Sequence, residues 1–134
     1  MCSLKQLTNY PLDTHFMRTD YSNNPIVKKC IEFSIKMIQY YDTLEQKKKY
    51  TIARQLLRSA TSIGANVMEA QSAESKADFI HKLKVADKEA FETYYWMILC
   101  KESEHYELPQ NLLELLDEIM RLLNSIIQSA KVKQ

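Results

Sequence analysis

A chain of 134 residues with 46% hydrophobic and 26% charged residues has the size and mixture of one folded domain, which excludes a disordered chain. One glycine and three prolines leave almost no material for tight β-turns, phosphate loops or dinucleotide fingerprints, so the composition excludes all-β and α/β folds in favour of an all-α one. With 18 Lys and Arg against 17 Asp and Glu the net charge is +1, so no bulk field draws in nucleic acid and any such patch must be local.

Residues 1–23 mix Pro, Asp, Thr, Asn and Tyr without periodicity and read as an extended or partly disordered arm. They hold no apolar run of signal-peptide length. The longest uncharged apolar run, Tyr94 to Cys100, is far short of a membrane span, so the expected location is the cytoplasm and no membrane partner is expected. Cys2, Cys30 and Cys100 are widely separated and form no C-x-x-C pair; Cys30 and Cys100 read as buried free thiols.

Residues 24–134 read as an antiparallel up-and-down four-helix bundle. Asn24-Pro25 starts the first helix, about 25–42, with Asn as N-cap and Pro where its missing N–H costs nothing; Val27, Cys30, Ile31, Ser34, Ile38 and Tyr41 follow a spacing of three and four. The second, about 51–73, has Ile52, Leu56, Ala60, Ile63, Val67 and Ala70 as its inner face. Ser75, with Asp78 three residues on, heads the third, about 75–101, whose stripe is Phe79, Leu83, Ala86, Ala90, Thr93, Met97 and Cys100. After Pro109 the fourth, about 110–130, carries Leu112, Leu116, Ile119, Leu123, Ile126 and Ala130.

Two features exceed what a monomeric bundle needs. The second half of helix three, from Phe91 to Cys100, is apolar around nearly its whole circumference, and Leu113, Leu115 and Leu122 lie outside the main stripe of helix four. Such surface needs a cover, and self-association through Tyr95, Trp96, Leu99, Leu115 and Leu122 supplies one; an arm folded back with Phe16, Met17 and Tyr21 would be another. In helix two, Gln55, Ser59, Ser62, Asn66 and Glu69 form a polar seam beside the apolar stripe, with Asn66 and Glu69 expected to face inward. The only glycine, Gly64, sits mid-helix at a cost of about 1 kcal/mol, which a close neighbouring backbone would explain. A hairpin of helices two and three pivoting near Ala73 would set Arg54 opposite Glu92 and Arg58 opposite Glu89, as solvated rim pairs or as a buried network.

Chemistry is sparse. Asp78 with His81 and Glu102 with His105 have the i, i+3 spacing of di-iron bundle ligands, but both lie on one helix roughly 35 Å apart and cannot share a metal centre within a subunit. No Ser or Cys lies in a nucleophile motif, so no enzyme, cofactor, metal or small-molecule substrate is expected. Residues 45–58 hold Lys47, Lys48, Lys49, Arg54 and Arg58 against Glu45 alone; repeated around an oligomer these would make a basic rim for phosphates, with Tyr40, Tyr41 and Tyr50 nearby for stacking.

The run Gln55-Leu56-Leu57-Arg58-Ser59-Ala60-Thr61-Ser62-Ile63-Gly64-Ala65-Asn66-Val67-Met68-Glu69-Ala70 and the later Lys88-Glu89-Ala90-Phe91-Glu92-Thr93-Tyr94-Tyr95-Trp96 resemble the four-helix bundle proteins named for 23S ribosomal-RNA intervening sequences, among them the accessory protein of diversity-generating retroelements. The resemblance spans about residues 25–130 and departs at Ala70, where many relatives have Gly. It implies a non-enzymatic bundle assembling as a homopentamer, with RNA or a reverse transcriptase as partner in some members. The expected function is therefore an oligomeric binding protein with a basic rim; the competing expectation is a purely structural scaffold with a protein partner and no nucleic-acid contact.

Overall fold

The structure is a computed structural model that describes residues 21–132, so the expected arm is seen only from Tyr21, and Phe16 and Met17 lie outside the described residues. After a 3-10 turn at Tyr21–Asn23 come four helices: α1 Pro25–Gln46, α2 Tyr50–Ala70, α3 Lys76–Glu102 and α4 Gln110–Val132. No strand occurs among the described residues. Each helix packs on the next, and α4 closes the ring against α1, giving the antiparallel four-helix bundle that the periodicity predicts.

Helix α1 runs past the expected Asp42 because Leu44 is buried and holds another turn onto the core. Its buried face is Val27, Cys30, Phe33, Met37, Tyr40 and Leu44, rotated from the expected stripe, and Ile38 is 46% exposed. Both sets repeat every three or four residues. Burial follows the bulkier one, since Phe33 and Met37 remove more apolar surface from water than Ser34 and Ile38. Pro25 opens the helix as expected, but the Asn24 side chain does not cap it: Nδ2 donates to Gln71 Oε1 at 3.0 Å, tying the start of α1 to the end of α2.

Helix α2 stops at Ala70, short of the expected residue 73. The N–H groups of Gln71, Ser72 and Ala73 each bond the carbonyl three residues back, so the chain tightens and leaves the helix. Leu56, Ala60, Ile63, Val67 and Ala70 are buried as read, with Ala53 in place of Ile52. At Gly64 a Cβ would stand 3.2 Å from Cys30 Cβ and 3.7 Å from Ser34 Oγ, so the missing side chain lets α1 and α2 approach. Helix α3 begins with a reciprocal cap: Ser75 Oγ accepts from the Asp78 N–H at 3.0 Å while the Asp78 carboxylate accepts from the Glu74 N–H at 3.2 Å. From Leu83 to Cys100 its stripe is buried as read. In α4, Leu112, Leu116, Ile119 and Leu123 are buried as read, and Ile127 is buried where Ile126 was expected.

The α2–α3 register differs from expectation. Ser59 meets Thr93, and Glu69 meets Lys82, so the hairpin pivots near Ser75 and Lys76, past the midpoint of the 71–75 turn. Arg58 meets Glu89 as expected, and it takes Glu92 as well in place of Arg54.

Candidate functional site

The connections 47–49 and 103–109 lie at the same end of the bundle, as the odd-numbered turns of an up-and-down chain must. Lys47 closes α1. Lys48 then adopts the left-handed conformation, with φ 61°, its N–H bonding the Glu45 carbonyl at 2.9 Å while the Lys49 N–H bonds the Leu44 carbonyl at 2.9 Å. This is a Schellman closure, whose left-handed position ordinarily holds glycine; a lysine there costs roughly 1–2 kcal/mol. Lys47 Nζ lies 4.0 Å from the Glu107 carboxylate, and Lys49 Nζ lies 5.1 Å from the centre of the Tyr106 ring. The returning loop thus brings both an anion and an aromatic face to the lysines. Sequence reading missed Tyr106 and Glu107, although the parity of the connections was the signal that could have found them.

The five expected rim cations do not form one surface. Arg54 is exposed and lies toward Tyr41, where its charge opposes the upward pKa shift that the hydrogen bond to Glu45 produces. Arg58 points the other way, to Glu89 at 3.4 Å and to Glu92. These three are rim groups in contact with solvent, so the pairing is the screened alternative rather than a buried network. What is buried between α2 and α3 is a hydroxyl pair: the Ser59 and Thr93 oxygens are 2.9 Å apart, and Thr93 Oγ1 donates to the Glu89 carbonyl at 2.8 Å.

Ser62 and Asn66 of the polar seam bond within α2. Ser62 Oγ donates to the Arg58 carbonyl at 2.7 Å, and Asn66 Nδ2 to the Ser62 carbonyl at 2.8 Å. Asn66 is half-buried and Glu69 is exposed, which corrects the expectation that both face inward. The shifted register gives Glu69 a rim partner in Lys82 at 3.0 Å, and that hydrogen bond raises the lysine pKa.

The residues read as an oligomer interface are likewise divided. Leu115 is 8% exposed and belongs to the subunit's own core, since α4 turns it inward beside Leu116. Trp96 and Leu99 are half-buried on the α3 edge that carries Glu92, toward α2; Leu122, one turn past Glu118, lies on the α4 edge that pairs with Lys29 of α1. Those edges are on opposite sides of the bundle. Tyr95 is 56% exposed and makes an edge-on contact with Trp96 at 5.3 Å between ring centres. Among the described residues the large apolar side chains open to water are Ile35, Ile38 and Met68 on α1 and α2, Phe91, Tyr94 and Tyr95 on α3, and, apart from these, Tyr50 at the start of α2 and Val132 at the end of α4.

Asp78 spends its carboxylate on the α3 cap, while His81 is exposed; Glu102 and His105 lie at the other end, with His105 Nε2 3.9 Å from Glu104. Among the described residues no three His, Cys, Asp or Glu side chains gather as a metal site. Cys30 and Cys100 are buried free thiols, and burial pushes the Cys30 pKa up to about 12. Among the described residues no helix is long and apolar enough to cross a membrane.

Residues 22–125 match the model of a family described as 23S rRNA-intervening sequence protein. Among solved structures the chain is similar to the crystal structure of a protein of unknown function from the S23 ribosomal protein family of Bacteroides thetaiotaomicron VPI-5482, with 41% identity and a TM-score of 0.70 over 76% of this chain and 97% of that one. No curated protein matches. The match runs from the 3-10 turn into α4, across the polar seam of α2 and the whole of α3, and the chain belongs to the 23S rRNA-intervening sequence protein family.

Proposed function

We propose that the protein works without catalysis in the cytoplasm, as a self-associating helical bundle that offers cations at its 47–49 end to RNA. The observation that carries this reading is Lys48. A chain that accepts a left-handed lysine at a Schellman closure gives up roughly 1–2 kcal/mol that glycine would save, and it gains an exposed cation at the tip of the connection. Arg54 is exposed close by, and the family's description ties it to an intervening sequence of 23S rRNA. Self-association is supported by Ile35, Ile38 and Met68: Ile38 is one turn past Ser34 and Met68 one turn past Gly64 on antiparallel helices, so they flank the α1–α2 contact from its two ends as exposed aliphatic side chains. Repetition of Lys48 and Arg54 around an oligomer would multiply a field that one neutral subunit lacks.

The test is light scattering on the intact chain beside RNA binding at two salt concentrations. Self-association gives a mass several times 15.8 kDa, five times if the family resemblance sets the number, and Ile38→Asp lowers it with helicity retained. Phosphate contacts make RNA affinity fall steeply with salt, and Lys48→Gln with Arg54→Gln reduces it. A monomer that binds no RNA at low salt would overturn the proposal. A second reading, a scaffold for a protein such as a reverse transcriptase, is favoured by the engagement of Lys47 with Glu107 and of Arg58 with Glu89 and Glu92; an oligomer that ignores RNA would select it.

A further inference from the structure

Helix α3 carries two stripes of the same period. One, from Leu83 to Cys100, is buried. The other, His81, Lys84, Lys88, Phe91 and Tyr95, advances by three and four along the outward face, and each of its members is exposed. It changes character midway: Lys84 and Lys88, which make no ion pair among the described residues, come first, then Phe91 and Tyr95 with 58% and 56% of their surface in water, and Tyr94 at 45% beside them. The stripe is about 21 Å long, the span of a few nucleotides.

We propose that this stripe is a track for single-stranded RNA, with Lys84 and Lys88 on phosphates and Phe91 and Tyr95 as stacking surfaces for unpaired bases; the inference rests on the RNA-binding reading above and gives it a second, base-reading site. Composition decides between RNA and another copy of the chain as occupant. The cores of protein interfaces are depleted in lysine, whereas a sequence-tolerant single-strand site combines lysine with exposed aromatic faces. Ile35, Ile38 and Met68 have the former composition; the α3 stripe has the latter. The edge-on contact with Trp96 holds the Tyr95 ring in place while leaving most of it in water, so little side-chain freedom is lost on stacking. Of the carboxylates beside the stripe, Glu89 and Glu92 turn to Arg58 of α2, Asp87 is partly buried, which raises its pKa, and Glu102 lies exposed on the same face two turns past Tyr95.

The experiment measures binding of a labelled single-stranded oligouridylate and of an RNA duplex of the same length to the intact chain. The native protein favours the single strand. Phe91→Ala with Tyr95→Ala weakens single-strand binding by roughly tenfold per ring lost and leaves the duplex affinity unchanged. Lys84→Gln with Lys88→Gln flattens the log affinity against log salt slope by about 1.4, at roughly 0.7 per lost contact. These are surface changes, and helicity and mass are checked beside them. Single-strand binding that survives the aromatic variant but is lost with Lys48→Gln and Arg54→Gln overturns the α3 track and keeps the proposed function. Absence of all RNA binding overturns both. A fall in oligomer mass with Phe91→Ala and Tyr95→Ala at unchanged RNA affinity assigns the stripe to a second copy instead.

Discussion

Gly64 shows how one residue sets the distance between two helices. Alanine is ordinarily worth about 1 kcal/mol more than glycine inside a helix, but here its methyl would meet Cys30 Cβ, an atom that no rotamer change can move away. Gly64→Ala is therefore expected to bring no rise in melting temperature, and Gly64→Val to destabilise by about 1–3 kcal/mol in denaturant titration. Lys48 offers the opposite case. Lys48→Gly should stabilise by about 1 kcal/mol by relieving the left-handed backbone, while weakening RNA binding. Cys30 has a consequence for alkaline stability. Its thiol titrates from 9.0 in the unfolded chain to about 12 in the folded one, so between these values the unfolded state binds fewer protons. The contribution of Cys30 to stability is whole below pH 9 and is lost as pH rises toward 12, and Cys30→Ala should flatten the slope of stability with pH in melts across the range.

At the scale of elements, the existence and order of the helices were legible because each repeats its apolar residues strictly, and because Asn24-Pro25, Ser75-Asp78 and Pro109 punctuate them. Rotation and register were not. Helix α1 has two sets of residues with the same spacing, and the periodicity alone does not choose between them; the apolar area of Phe33 and Met37 does. The stop of α2 is made by three tightened backbone bonds with no glycine or proline to announce it, and the α2–α3 offset is set by the side chains that meet along the seam, Ser59 with Thr93 and Glu69 with Lys82. An error of a few residues there moved Glu69 from an inward network to a rim pair and took Arg54 from Glu92. The cations of the candidate site are legible in the sequence but their division among three directions is not, and the α3 stripe is hidden there because its aromatics read as surplus apolar surface for self-association. The Ser59–Thr93 pair tests the corrected register: Thr93→Val should cost about 1–3 kcal/mol, and Ser59→Ala with Thr93→Val should cost less than the two singles added, since they remove the same hydrogen bond.

For the whole molecule, an even number of alternating helices places the start of α1 and the end of α4 together, at the end bearing the 71–75 turn and opposite Lys47–Lys49. The seam between α1 and α4, marked by Lys29 and Glu118 at 2.7 Å, therefore lies across the line between residues 24 and 132. Mechanical tension applied at these two points does not shear the helices along their length. It peels α1 from α4 one turn at a time, so that only a few contacts bear load at any moment. A single subunit held between optical traps at these residues is expected to open at low force and in small steps, whereas pulling between residue 24 and a cysteine introduced at Lys48, which loads α1 along its axis, should demand a distinctly higher one.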